Sequence, residues 1–179
     1  MPSRSLGGAS PQRHRRRTSQ GKGRGALPRH TLPIATHFDV EIERMPDAPA
    51  ARVPVKATED SACFDLYAAH DAELLPGQVT LVRTGLKMRA PPGTFLEIRP
   101  RSGLSTKGVI MVNAPGTIDR DYPQEVKVPL SVLFGGPRTL RAGERVAQMR
   151  VVPEARTGFR WGRVEATTDR EGGFGSTGA

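Results

Sequence analysis

The chain has 179 residues, which suits one compact domain with appendages and is short for two independent cores. Aromatic residues make up 5% of it while Gly and Pro number 20 and 16, so an aliphatic core and frequent turns are expected. The formal charge of +9 sits at one end: residues 1–38 carry eight Lys or Arg and no acid, leaving 19 basic and 18 acidic residues elsewhere. A near-neutral body argues against nucleic-acid binding by the domain, because such binding needs clustered charge.

One cysteine, Cys63, excludes an internal disulfide framework and cannot build a thiolate metal cluster alone. There is no run of ~18 apolar residues to span a membrane, and the basic N-terminus lacks the apolar stretch of a secretory signal. A reducing, cytoplasmic location and no membrane partner are the expectation.

Residues 1–35 hold the run Arg13-His14-Arg15-Arg16-Arg17 amid Ser, Gly, Gln and Pro, too polar to offset the entropy of ordering. They are predicted to be a disordered basic tail. A mitochondrial transit peptide, a nuclear signal and a start codon placed upstream of the true one all fit that composition. Contact between the tail and nucleic acid is the less favoured reading. The β domain is expected over 36–166, followed by a Gly-rich C-terminal arm over 167–179.

From His37 the period changes to two: Phe38, Val40 and Ile42 alternate with Asp39, Glu41 and Glu43, the pattern of a half-buried strand. Residues 78–90 read as two short strands between the turns Pro76-Gly77 and Pro92-Gly93, 94–99 as another, and 109–112 as a buried run. In 126–134 Val126, Val128, Leu130, Val132 and Phe134 alternate with smaller or polar residues, and Pro129 within that run predicts a sheet edge or a bulge. Gly135-Gly136-Pro137 ends it. Over 144–152 alternation predicts Val146, Gln148, Arg150 and Val152 on one face and Ala147, Met149 and Val151 on the other. No stretch of ten residues has a 3.6 period. The prediction is an all-β, jelly-roll-like fold with minor helix.

Three segments carry polar chemistry. In 113–122, Pro115-Gly116 makes a turn after a buried run, and Ile118 is an inward anchor that would present Asp119 outward. A carboxylate so held can orient and deprotonate a water, although turn acids are more often merely solvated. Asn113 has the donor and acceptor that a pyrimidine edge requires. In 99–104, Arg101, Ser102 and Gly103 could offer a guanidinium, a hydroxyl and main-chain amides to phosphate; a solvated basic turn is the plainer reading. In 172–178, Phe174 stands alone among glycines and hydroxyls, where it could stack on a base while Gly175, Ser176 and Thr177 close over phosphates. Two residues elsewhere add to these. Asp65 lies in an apolar strand and needs a partner, and Gln148 could hold a phosphate oxygen, though a surface Gln is commoner.

These five segments, in this order from Ser61 to Gly178, resemble the five motifs of the homotrimeric dUTPases. The resemblance implies conversion of dUTP and water to dUMP and pyrophosphate, with Mg²⁺ chelated by the triphosphate, limiting uracil in DNA and supplying dUMP for dTMP synthesis. It makes Asp119 the base that activates water and gives Asp65 an indirect hold on the metal through water. Arg101, Ser102, Gly103 and Gln148 would bind phosphates, and Arg170, Ser176 and Thr177 would close over the γ end. Asn113, with backbone at Thr117, Ile118 and Asp119 and near Lys127, would read uracil. Tyr122 would pack on the deoxyribose and exclude UTP, and Phe174, beside Gly175, would cap the base. It further implies a homotrimer whose subunits share each site. Two departures stand out: Arg170-Glu171-Gly172-Gly173-Phe174 is one residue shorter than the family's Arg-Gly-x-Gly-Gly-Phe, and Pro123-Gln124 replaces Arg-Gly after the Tyr. A dCTP deaminase of related fold and a catalytically inert dUTP sensor are the alternatives; Asp119, Tyr122 and Phe174 favour neither.

Overall fold

The computed structural model describes residues 37–165 and 167, which all belong to one compact unit. Arg170, Phe174, Gly175, Ser176 and Thr177 lie outside the described residues, as does the N-terminal tail.

Eleven strands and one short helix follow one another: β1 (Glu41–Arg44), β2 (Phe64–Tyr67), β3 (Ala72–Leu74), β4 (Thr80–Arg83), β5 (Leu86–Arg89), β6 (Thr94–Arg99), α1 (Ser102–Ser105), β7 (Val109–Met111), β8 (Gly116–Ile118), β9 (Lys127–Val132), β10 (Arg138–Leu140) and β11 (Arg145–Pro153). The fold is all-β and jelly-roll-like, as the turn spacing predicts. Its larger sheet runs β2-β11-β6-β8 and its second β4-β9-β7, with the pairs β1-β5 and β10-β3 at their sides. Every pair of these strands is antiparallel.

Strand β6 shows how the pattern builds the core. Thr94, Leu96 and Ile98 are buried while Phe95 and Glu97 are half-buried and Arg99 exposed, the period-2 alternation of one dry face and one wetter face. Leu66, Ala147 and Met149 continue the dry face and meet Val82, Val128, Leu130, Val109 and Met111 of the second sheet in a single aliphatic cluster. Few of these side chains are aromatic, so tight turns bring the strands close. At Gly85 φ is +70°, and a Cβ there would stand 2.5 Å from that of Ala48 and 2.7 Å from that of Ala51. Only glycine satisfies both the dihedral and the space.

Three sequence expectations are corrected. Strand β9 is central, not an edge, even though it contains Pro129. The Pro129 carbonyl accepts from Val112 N–H at 3.0 Å, so its ring nitrogen faces the same way, past the end of β7, where no ladder bond is lost. The buried run stops at Met111, and Val112 is half-exposed because its strand has ended. In β11 the register shifts between Arg145 and Ala147, so Val146 and Ala147 are both buried and Val146 does not share the Gln148 face.

Candidate active site

Two groups of the expected residues form at opposite ends of β6. At its C-terminal end the register puts Asp65 of β2 opposite Gln148 of β11, and Gln148 opposite Arg99 of β6. Asp65 is 4% exposed. A carboxylate so buried needs compensation, and it has two guanidiniums: Arg101 Nε donates to Oδ1 at 3.1 Å and Arg145 Nη1 to Oδ2 at 3.3 Å. Arg101 Nη1 also donates to the Arg145 carbonyl at 3.3 Å, which fixes its plane. Ser102 and Gly103 follow at once in α1 and are exposed. Their amides precede the first bond of the turn, which Leu104 and Ser105 N–H make to the Arg101 carbonyl. Arg101, Ser102, Gly103, Gln148 and Asp65 therefore share one corner that is rich in donors.

The second group hangs from β8. Gly116, Thr117 and Ile118 pair with Ile98, Glu97 and Leu96, so this strand edges the larger sheet; the motif's centre is strand, not only turn. Gly116 is packed closely, since a Cβ would meet Met111 Cε at 3.1 Å and Asn113 Nδ2 at 3.2 Å. Ile118 packs against the core as expected, and the chain then leaves the sheet with Asp119 exposed. Tyr122 N–H donates to the Asp119 carbonyl at 3.1 Å, closing a turn that puts the two side chains in different clefts. Thr117 and Asp119 line one of about 530 Å³ with Phe95, Arg120, Asp121 and Glu154. Tyr122, with Pro123, faces another of about 420 Å³ beside Glu41, Glu43, Lys87 and Arg89. Lys127 is exposed at the start of β9, opposite Arg83.

Within one subunit these groups do not meet. Asp119 lies by the Phe95 end of β6 and Asp65 by the Arg99 end. Four residues at ~3.3 Å and three inter-strand steps of ~4.8 Å put them roughly 20 Å apart.

Sequence reasoning missed two residues. Glu125, 5% exposed, anchors the return of the Asp119 segment: its carboxylate accepts from Arg83 Nε at 2.8 Å and from Gly85 N–H at 2.8 Å. Arg83 also grips Asp47 bidentately at 2.8 and 3.0 Å. Hydrogen bonds from Arg83 hold the Asp47 carboxyl below its ordinary range, and Asp47, then Glu125, holds the Arg83 proton more firmly. Nothing in the sequence pairs residues 36 to 42 positions apart. The other missed residue is Arg145, whose spacing of three from Gln148 in an otherwise alternating strand was a readable sign of a bulge.

No group of three or more His, Cys, Asp or Glu among the described residues could cage a metal ion. No described helix is long and apolar enough to cross a membrane.

A β domain with a phosphate-type corner and a turn carboxylate defines the class, a small nucleotide-binding β protein. Comparisons make it specific. The dUTPase family model matches residues 50–178. The deoxyuridine 5'-triphosphate nucleotidohydrolase of Anaplasma marginale is 43% identical over 145 residues, covering 78% of this chain and 97% of that one. The chain belongs to the dUTPase family. Its fold matches the Staphylococcus bacteriophage 80alpha dUTPase solved with dUpNHpp, at a TM-score of 0.70 and 20% identity, over 79% of this chain and 99% of that one. It also matches a mutant dUTPase of phage phi11 of S. aureus, described with a structural Mg(II) ion, at a TM-score of 0.63 and 18% identity over 72% and 98%.

Proposed function

We propose that this chain hydrolyses dUTP to dUMP and pyrophosphate by attack of water on the α-phosphorus, with Asp119 as the base. The activity follows from the family: the protein is a dUTP diphosphatase. The observation that carries the course of the reaction is the corner in which buried Asp65 holds the Arg101 guanidinium beside Ser102, Gly103 and Gln148.

In that course Asp119 takes a proton from water as the oxygen bonds to the α-phosphorus. The bond from that phosphorus to the α–β bridging oxygen breaks, and its electrons leave with pyrophosphate. Arg101, the Ser102 hydroxyl, the Gly103 amide and Gln148 donate to phosphate oxygens as charge moves onto the leaving group, and such prepositioned donors need no reorganisation. Asn113, with backbone at Thr117 and Ile118 and near Lys127, reads uracil. Tyr122, 41% exposed, offers its ring to the deoxyribose and leaves no room for a 2′-hydroxyl. Arg170, Phe174, Gly175, Ser176 and Thr177 form the arm over 167–179 that closes the site, while 1–35 is a dispensable tail.

The donor set suits Mg²⁺ only as a companion of the triphosphate, because Asp65 is a single carboxylate with a guanidinium on each oxygen. Each of those oxygens keeps a lone pair that water can use, so Asp65 would hold the ion indirectly. When bound, Mg²⁺ neutralises phosphate charge.

The distance between the two residue groups supports a homotrimer in which the Asp119 end of one subunit faces the Asp65 end of another. So does the segment after β11, where Phe159 (98%), Trp161 (104%) and Val164 (95%) stand exposed within six residues. Apolar surface of that kind is expected to be covered by a partner. The single cysteine fits a cytoplasmic, reducing location.

Pyrophosphate release from dUTP, dCTP, dTTP and UTP, with and without Mg²⁺, tests the reading. Rapid release from dUTP alone, dependent on Mg²⁺, is expected. Ammonia from dCTP would replace it with a deaminase.

A further inference from the structure

Strand β11 breaks its alternation at one place, and the break has a chemical effect. Asp65 and Tyr67 lie two apart on β2 and point to the same face. Gln148 opposes Asp65 and Arg145 opposes Tyr67, so two residues three positions apart on β11 share that face. Only the bulge between Arg145 and Ala147 permits this. The extra residue is absorbed inward, with Val146 and Ala147 both buried, and Arg145 turns to the wet side.

There Arg145 meets the Arg101 corner. Its Nη1 donates to Asp65 Oδ2 at 3.3 Å, while its Nε and Nη2 have no acceptor among the described residues. Its side chain is 49% exposed, against 20% for Arg101 and 6% for Asp65. One carboxylate thus aligns two guanidiniums and cancels one of their two charges, leaving a net positive pair. Arg52 adds to the field, its guanidinium lying 5.5 Å from the Tyr67 ring centre. A pair of forked donors with one charge uncancelled fits an oligophosphate, which offers several anionic oxygens in a row.

We propose that Arg145 is a second phosphate-binding residue, which grips the part of the triphosphate that leaves as pyrophosphate, and that Asp65 is the positioning residue that sets both guanidiniums. The proposal rests on the dUTPase reading only for the identity of the nucleotide. The phosphate chemistry of the corner is independent of it.

The test uses the full chain and calorimetric titration with inorganic tripolyphosphate, dUTP in the presence of Ca²⁺ to slow turnover, and dUMP. Arg145→Gln is expected to weaken tripolyphosphate and dUTP binding about tenfold or more, the loss typical of a charge-assisted contact, with dUMP changed less than about twofold. Arg145→Lys keeps the charge without the fork and is expected to fall between Arg145→Gln and the parent. In turnover KM should rise more than kcat falls. A purely structural Arg145 would lower the melting temperature and leave tripolyphosphate affinity within about twofold in both variants, which would overturn the proposal. If the Gln variant does not fold, unchanged tripolyphosphate affinity in Arg145→Lys overturns it equally. A parent chain that binds tripolyphosphate through Arg145 yet releases no pyrophosphate from dUTP would sink the proposed function and leave the phosphate grip standing.

Discussion

The two ends of β6 solve different problems. At the Arg99 end the polar groups are braced: Asp65 is buried under two arginines, and its cross-strand neighbour Gln148 is set by register. At the Phe95 end Asp119 stands exposed beyond an anchored Ile118, and only backbone contacts around it are fixed. The difference fits their tasks. A phosphate cradle gains by prearranging its donors, whereas a base must receive water and a proton and is freer with fewer bonds of its own.

The largest effect should come from the open end. Asp119→Asn is expected to lower kcat about 10³-fold with the Kd for a non-hydrolysable dUTP analogue little changed, read by pyrophosphate release and calorimetry. Full turnover would show that the exposed carboxylate is only a solvated acid. Next is the braced end, where Asp65→Ala leaves two guanidiniums facing each other without their carboxylate. We expect a stability loss of about 2–3 kcal/mol, below the usual cost of breaking a buried pair because Arg145 is half-exposed, together with a higher KM. A denaturant melt and a KM measurement check it, and an unchanged KM would mean that the brace serves the fold alone.

Behind the open end, Glu125→Gln removes the acceptor of Arg83 and part of that of Gly85 N–H. About 1–2 kcal/mol should be lost in urea unfolding, with the Asp119 segment loosened first in hydrogen exchange. The smallest effect concerns Asp47, which pairs with the same arginine at the surface. Its folded pKa lies below the ordinary value of 3.8, so its contribution is present above that pH and disappears as pH falls through the folded value. Asp47→Asn should therefore melt slightly lower than the parent at pH 7 and coincide with it in strong acid. Curves that stay apart in acid would remove the pair as the cause.

Much of this was legible in the residues. Strands β4, β5 and β6 sit where the period of two and the Pro-Gly turns put them, because half-buried strands write their burial directly into the sequence. The chemistry of Asp65, Arg101, Ser102, Gly103, Asn113, Gln148 and Asp119 was readable through the order of motifs. Partnership was not. That Asp65 meets Arg145 eighty positions away, or that Pro129 sits harmlessly in a central strand, depends on which strands become neighbours and which way one carbonyl points. Nor does chain order reveal that Gln148 and Asp119 belong to different ends of the same sheet.

One consequence reaches beyond a single chain. Because β6 carries a phosphate corner at one end and borders the base at the other, in a shared-site trimer each copy of it would serve two different reaction centres. A subunit crippled at Asp119 and a subunit crippled at Arg101 are then each inert alone. Co-assembled, they can bring one intact pair of ends together, so two dead proteins mixed before folding should regain part of the lost turnover.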